Sequence, residues 1–184
     1  MNYRLFIVLL SFFLSACTSL PEALQSQTPE PMTTLQRLVN DQGSGGDVRL
    51  GGVIALVENL QDKTRIEVVN LPISSIGKPS ISTEPKGRFV AYFDGFVDPV
   101  TYSAGRLITV IGHSAPDEEG KVGEFVQRFP VIVGYGHQLW KVEERVIIND
   151  VGSYHSPCYG LYCRSFRSHG GRATGKITQE VTAQ

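Results

Sequence analysis

The feature that most constrains the fold is an alternation of apolar and polar residues that follows a polar N-terminal stretch. Val48 and Leu50 flank Arg49, and Ile66 and Val68 recur at the same spacing further along the chain. A half-buried β-strand requires this period because successive side chains point to opposite faces of the sheet. The alternation therefore predicts that the body of the chain is built from strands.

More short strands are predicted by composition and by the turn formers between them. They cover residues 88–93, 106–112, 124–129 or 124–133, and 137–148. Between the strands lie five prolines near turn formers, none of them deep inside a periodic run, as is usual in sheets. They are Pro72, Pro79, Pro85, Pro99 and Pro116. Several short strands with little helix between them indicate an all-β fold, either a small antiparallel barrel or a sandwich.

The pair Gly51-Gly52, in the middle of the first strand, favours one of these architectures. Glycine weakens a strand unless the backbone needs a bulge, a bend or close approach to another group. Barrels of the OB type bend their first strand so that it joins both halves of the sheet. We therefore predict a small antiparallel OB-like β-barrel over residues 47–148, with close approach of a ligand as the alternative reason for the two glycines.

The N-terminus has the pattern of an export signal. A cationic start precedes an apolar stretch of about ten residues, too short to span a bilayer, which takes roughly 20. Leu14-Ser15-Ala16-Cys17 then resembles a bacterial lipobox, whose family behaviour is cleavage on the N-terminal side of the cysteine and attachment of diacylglycerol to the cysteine sulfur. We predict a lipoprotein signal peptide over residues 1–16 and lipidation of Cys17, with an ordinary secretory signal as the alternative.

The residue after Cys17 indicates which membrane holds the protein. In lipoproteins of Gram-negative bacteria Asp at this position tends to retain the protein at the inner membrane, whereas here it is Thr18. By that resemblance we expect the periplasmic face of the outer membrane, with outer-membrane lipid as a partner through the acyl anchor. The formal net charge of −1 lacks the basic excess of a nucleic-acid binder, so no nucleic-acid partner is expected.

The segments on either side of the predicted barrel lack long apolar runs. Residues 17–46 hold the lipidated cysteine and a stretch rich in Gln, Ser, Thr and Pro. This composition predicts a flexible tether with a reach of roughly 30 Å, with at most a short helix near residues 33–39. Residues 149–184 contain several glycines and no long apolar period, which predicts an irregular tail.

Cys158 and Cys163 in this tail are the cysteines that remain once Cys17 is lipidated. Two nearby thiols in an oxidising periplasm usually form a disulfide, and we predict that these two do. Free thiols are one alternative. The other is a zinc site that adds His155 and His169 to the two thiolates, although the spacing matches no established finger pattern.

Three runs within the predicted barrel are distinctive: Arg49-Leu50-Gly51-Gly52-Val53-Ile54, Gly95-Phe96-Val97-Asp98-Pro99-Val100-Thr101-Tyr102 and Leu107-Ile108-Thr109-Val110-Ile111-Gly112. Together they resemble the Slp family of outer-membrane lipoproteins. The resemblance covers the leader and roughly residues 46–146. It implies an outer-membrane lipoprotein linked to starvation or stationary-phase stress, with no established catalytic activity.

The most specific part of this resemblance, Gly-Phe-x-Asp-Pro-x-x-Tyr, has two interpretations. Asp98 before Pro99 suits a turn in which the carboxylate accepts hydrogen bonds from nearby amides, with Phe96 and Tyr102 packed beneath it. Alternatively, Asp98, Tyr102 and Phe96 contact a ligand. The structural turn is favoured because no convergent polar groups are evident around the motif.

Motifs that would carry catalysis or bind a metal are weak in this sequence. The run at residues 112–116 lacks the closing glycine of a nucleophile elbow, and the acidic run at 117–119 lacks the alternating ligands of a calcium loop. We therefore expect no enzyme activity, no catalytic residue, no cofactor and no metal.

The expected function is that of a non-enzymatic structural or interaction component of the envelope, with an envelope protein or glycan as partner. The alternative is a periplasmic ligand carrier or sensor that uses the barrel mouth or an aromatic face. Exposure of a cluster of aromatic side chains would favour binding, and burial in one core would favour the structural role. The aromatic residues concerned are Tyr92, Phe93, Phe96, Tyr102, Tyr135 and Trp140.

Overall fold

The structure, a computed structural model, describes residues 19–148 and 175–184. Two compact units are present: the described residues up to Lys141 together with Ala183–Gln184, and the described residues from Val142 to Thr182. Cys17, Cys158 and Cys163 lie outside the described residues, so lipidation and pairing of these cysteines stay predictions. No helix in the described ranges is long and apolar enough to cross a bilayer.

Strands make up most of the first unit, and the all-β prediction is confirmed. Their hydrogen-bonded order is β3-β2-β1-β4-β5 with antiparallel neighbours, and β3 also pairs in parallel with β5 from Val90↔Val131 to Tyr92↔Val133. Each of these five strands therefore has two hydrogen-bonded neighbours among the five. The strands are β1 (Asp47–Asn59), β2 (Lys63–Leu71), β3 (Arg88–Asp94), β4 (Leu107–Val122) and β5 (Phe125–Ile148).

The core is formed by alternate positions of these strands, as the sequence period predicts. Leu50, Ile66 and Val68 are fully or almost fully buried and share one cluster with Phe89 and Ile132. Burial of each such side chain contributes about 1.5–3 kcal/mol. The apolar residues that alternate along the predicted strands are therefore the ones that form the core.

A second buried layer lies on the other face of the sheet. It includes residues of β4 and β5 that alternate with the core residues. The Thr109 hydroxyl donates to the Gly77 carbonyl at 2.5 Å and accepts from Trp140 Nε1 at 3.0 Å, and both side chains are buried. Leu24 is also fully buried, with its Cδ1 against Gly77. The loop after β2 and the N-terminal segment therefore cover this side of the sheet.

The described part of the stretch before β1 is folded onto the strands, which differs from the predicted flexible tether over 17–46. It contains a 3-10 helix at Glu22–Leu24, the helix α1 at Leu35–Asp41, and a bridge between Met32 and Val48. Leu35 and Leu38 of α1 belong to the core. The helix α1 agrees with the short helix predicted near residues 33–39. Burial of Leu24, Leu35 and Leu38 stabilises the packing of this stretch on the strands, which its polar composition did not indicate.

The glycine pair of β1 is explained by close approach of the chain to itself. A Cβ on Gly52 would lie 1.9 Å from the Val69 carbonyl oxygen, and one on Gly51 would lie 2.6 Å from Ile73 Cγ2. The shift of register along β1 comes later, between Ile54 and Leu56. The two glycines thus allow β2 and its following loop to pack closely on β1.

The second unit contains the end of β5 from Val142 and most of β6 (Gly175–Ala183), which neighbours β5 in the sheet order. The sequence predicted an irregular tail here. Exposed polar contacts accompany this pairing, including Gln179 Nε2 donating to Glu144 at 2.9 Å. The strand has one buried apolar residue, Val181. Because its apolar residues show so little periodicity, this strand could hardly be predicted from the sequence.

Candidate functional site

The predicted turn at Asp98 is present. The Asp98 carboxylate accepts the backbone N–H of Val100 at 3.1 Å and of Thr101 at 3.2 Å, and the Thr101 hydroxyl at 2.8 Å. The Thr101 hydroxyl, followed by the Val100 amide, lowers the pKa of this exposed carboxyl. Asp98 is therefore an ionised turn former, and Phe96 is 76% exposed instead of lying packed beneath it.

Tyr102 turns inward from the same loop and meets His137 of β5. Their side chains share a hydrogen bond of 2.5 Å between Tyr102 Oη and His137 Nε2. The His137 ring also stands edge-on to Phe93 at a centroid distance of 5.0 Å. Burial lowers the pKa of His137, and burial raises the pKa of Tyr102 against an opposing effect of Arg106. Both groups are therefore neutral at physiological pH.

These residues line an open cleft of about 470 Å³ at the end of β3. Its walls include aromatic rings from β3, from the loop after β3 and from β5, and two carboxylates belong to its lining. We call it the aromatic cleft and define it by Phe93, Asp94, Phe96, Asp98, Tyr102, Tyr135 and His137.

A glycine on β5 makes room for the aromatic packing at this cleft. A Cβ on Gly134 would lie 2.4 Å from Phe93 Cε1 and 2.6 Å from Phe93 Cζ. Neither atom can move without displacing the whole ring, so a side chain here would push Phe93 away from His137. Gly134 thus fixes the position of the ring against the strand.

The six aromatic residues whose exposure distinguishes a binding role from a structural role are divided between core and surface. Phe93 and Trp140 are buried, Tyr92 and Tyr102 are half-buried, and Phe96 and Tyr135 are exposed. Trp140 belongs to the second buried layer, whereas Phe93, Phe96, Tyr102 and Tyr135 meet at the aromatic cleft. The arrangement serves both packing and an accessible aromatic surface.

A second polar cluster, the N-terminal latch, joins the segment before α1 to the strands. Asp47, 4% exposed, accepts the Ser26 hydroxyl at 2.6 Å and the Thr28 N–H at 2.8 Å through Oδ2. Its Oδ1 lies 2.9 Å from His113 Nδ1, an ion-pair distance when the ring is protonated, but no described donor is aligned for a hydrogen bond to it. Burial alone would raise the pKa of Asp47, yet Ser26, Thr28 and His113 together lower it.

A third cluster consists of polar and charged side chains paired across β1, β2, β3 and β4. Arg65 binds Glu118 at 2.7 Å and Glu58 at 2.9 Å, and Tyr92 donates to Glu118 at 2.5 Å. Glu67, almost fully buried, pairs with Arg88 at 2.5 Å. These groups satisfy one another, so the cluster is a structural network.

A larger apolar groove of about 590 Å³ lies beside α1, where Leu35 and Val39 face Asn70 and Ile73. Its lining also includes the polar side chains of Thr33, Thr34, Gln36 and Lys86. Ser114, from the run compared with a nucleophile elbow, is buried and accepts Gly45 N–H at 3.0 Å while donating to Asp41. No cluster of three or more metal-ligating side chains occurs within the described ranges.

The aromatic cleft unites predicted residues with one that the sequence did not point to. Asp98, Tyr102 and Phe96 were predicted from their motif, and all three line the cleft. His137 was missed because it lies 35 positions from Tyr102 and belongs to no motif. Its place opposite Val110 in the strand register would have revealed it, since Val110 belongs to the core.

Comparison with known proteins relates the chain to a group of envelope proteins. The outer membrane lipoprotein Slp family matches residues 14–166. The chain is 32% identical over 140 residues to the uncharacterized lipoprotein YeaY of Escherichia coli K12, covering 75% of this chain and 72% of YeaY. It is 29% identical over 159 residues to the outer membrane protein Slp of the same organism, covering 85% of this chain and 83% of Slp.

A third relative comes from another organism. The chain is 33% identical over 147 residues to an uncharacterized protein of Haemophilus influenzae, covering 74% of this chain and 75% of that protein. No solved structure matches the chain.

Proposed function

Because this chain belongs to the outer membrane lipoprotein Slp family, we propose that acyl chains on Cys17 anchor it at the periplasmic face of the outer membrane. There it serves as a non-enzymatic structural or interaction component of the envelope during starvation stress. One observation carries the anchor: the family match begins at residue 14 and so includes Leu14-Ser15-Ala16-Cys17. Two or more acyl chains provide stable membrane association.

The body presented on this anchor is, in our proposal, an OB-like barrel. Two features support it: each strand from β1 to β5 has two hydrogen-bonded neighbours among these five, and the closing pair, β3 with β5, is parallel. A ring of five strands with a filled interior matches the small barrels that carry binding loops at their ends. The loop with Asp98 and Phe96 follows β3 at one such end.

The anchor is tested by replacing its cysteine. We expect Cys17→Ala to abolish acylation, detected by mass spectrometry of the mature N-terminus, and to release the protein from washed membranes. Cys158→Ala is the matched control, because it removes a thiol and leaves the lipobox intact. Detergent-requiring association of the Cys17→Ala protein with membranes would contradict the proposal.

The second candidate function is that of a ligand carrier or sensor, and the aromatic cleft favours it. Clefts of a few hundred cubic ångströms with aromatic walls and a few polar groups are typical ligand sites. Here Phe96 is 76% exposed and Tyr102 is half-buried beside a neutral His137.

Crosslinking in living cells distinguishes the two candidates. A photoreactive phenylalanine analogue is placed at Phe96 in the cleft or at Phe125, which is 82% exposed at the start of β5 and does not line the cleft. Reproducible capture of one protein or glycan supports an interaction component. Capture of a small molecule at position 96 alone supports a carrier, and identical adducts at both positions argue against a role for the cleft.

A further inference from the structure

The aromatic cleft combines ring surfaces with negative charge. Phe93, Phe96, Tyr102 and Tyr135 contribute rings to its lining. Asp94 and Asp98 supply carboxylates, and the lining within the described part of the chain contains no Lys or Arg. His137 adds no positive charge because its burial keeps the ring neutral. The cleft is therefore aromatic and net negative.

The cationic side chains nearest in register are engaged outside the cleft. Lys63 pairs across the strands with Asp94, but its Nζ lies 4.4 Å from the ring centroid of Tyr92, which does not line the cleft. Arg106, whose charge reaches Tyr102, donates a hydrogen bond to Gln184. Neither residue is part of the cleft lining, so no described Lys or Arg of the lining balances the charge of the two carboxylates. Asp98 keeps its negative charge while its oxygens accept the hydrogen bonds of the turn.

Aromatic faces attract cations because the ring quadrupole places negative charge on the face, and ammonium groups are recognised in this way. A nearby carboxylate adds attraction without needing a directed hydrogen bond. A volume of about 470 Å³ accommodates a small ligand of this kind.

We propose that the aromatic cleft binds a small organic ammonium ion, with the rings enclosing the ammonium group and Asp94 and Asp98 supplying the countercharge. This inference rests on the second candidate function, in which the cleft is a ligand site. A free cation suits the cleft better than a zwitterionic lipid headgroup does, because the phosphate of a headgroup would meet the same carboxylates.

The test measures binding by the full chain in a non-ionic detergent at constant ionic strength, with nuclear magnetic resonance titrations. Choline is the probe, and 3,3-dimethyl-1-butanol, which has the same shape without the charge, is the matched neutral ligand. We expect saturable binding of choline, at least several-fold weaker binding of the neutral ligand, and weaker binding of phosphocholine. Phosphocholine binding as tightly as choline would identify a headgroup site and overturn the free-cation proposal.

Variants locate the site. Phe96→Leu keeps an apolar side chain but removes the ring, and we expect it to weaken choline binding about two- to five-fold, the effect of a cation–π contact at an exposed position. Asp94→Asn should weaken it further by removing a countercharge. Phe125→Leu, at a similarly exposed phenylalanine outside the cleft, should leave binding unchanged.

Three outcomes overturn the inference in different ways. Equal binding of choline and its neutral analogue leaves the cleft as a ligand site and removes the specificity for cations. Absence of binding by both ligands, in a protein with the far-ultraviolet spectrum of a folded β-protein, removes the inference and leaves the lipid anchor untouched. Equal weakening by Phe96→Leu and Phe125→Leu places choline elsewhere on the protein.

Discussion

The aromatic cleft and the N-terminal latch each place a histidine beside a tyrosine, yet the two surroundings are opposite in character. His137 contacts Tyr102 and Phe93, and desolvation is the cause of its lowered pKa. His113 lies against the buried carboxylate of Asp47, with the Tyr135 ring 5.1 Å away. At the latch, the Asp47 carboxylate is charged and binds the N-terminal segment to the strands. At the base of the cleft, His137 and Tyr102 are neutral.

The largest effect is expected at the latch. Asp47→Ala should lower the free energy of unfolding by about 3 kcal/mol, because it removes a charged acceptor from Ser26 and Thr28. Urea unfolding at pH 7 measures the change, with Asp117→Ala on the exposed part of β4 as a control that should stay within about 0.5 kcal/mol of the parent. Equal losses in both variants would show that the latch contributes no specific stability.

The latch also predicts a pH dependence at the acidic end. The pKa of Asp47 is lowered in the folded state, so its contribution is complete above the unfolded value of about 4 and is lost as the pH falls through the folded value. Hydrogen exchange should then show residues 19–28 losing protection before β2 and β3. Simultaneous loss of protection in both regions would mean that the segment is not held separately by this carboxylate.

A smaller effect is expected at the cleft, in a higher pH window. Because burial lowers the pKa of His137, the unfolded chain takes up a proton first as the pH falls below about 6.5, and stability decreases. His137→Phe should reduce this decrease between pH 7.5 and 5.5, measured by urea unfolding at each pH. Tyr102→Phe should retain the pH dependence and lose about 1 kcal/mol throughout for its hydrogen bond. An unchanged pH profile in His137→Phe would assign the titration to another group.

The smallest effect is expected at the rim of the cleft. Phe96→Leu should change the free energy of unfolding by less than about 0.5 kcal/mol, since the side chain is 76% exposed. Thermal unfolding followed by circular dichroism measures it. A loss of 2 kcal/mol or more would show that Phe96 supports the fold and would weaken the argument for an accessible aromatic surface.

The strands were predictable because their apolar residues alternate over enough positions to give a period. The sequence also predicted a short helix near residues 33–39, and a helix is present at Leu35–Asp41. It did not predict the packing of residues 19–46 on the strands, because Leu24, Leu35 and Leu38 are separated by polar residues and only the finished sheet shows what they cover. The alternation of apolar residues did not predict β6 either, because Val181 is the one described apolar side chain of that strand that is buried. The composition of a segment predicts its average exposure to solvent. It does not predict which few of its residues are buried in the core.

The same difference applies to the candidate site: contacts between residues close in sequence were predictable, and contacts between distant residues were not. The turn at Asp98 was predictable because its hydrogen bonds run to Val100 and Thr101, within three positions. The pairing of Tyr102 with His137 depends on the register of β4 with β5, which no local pattern specifies. Sequence reasoning therefore found one rim of the cleft and not its base.

Leu24 is fully buried and follows Cys17 by only seven positions. Even fully extended, a segment of that length spans about 25 Å. With acyl chains on Cys17, the folded body would stay in a thin layer beside the lipid and would not sample the full width of the periplasm. Molecules concentrated at the membrane surface would then encounter it far more often than those dissolved in the bulk.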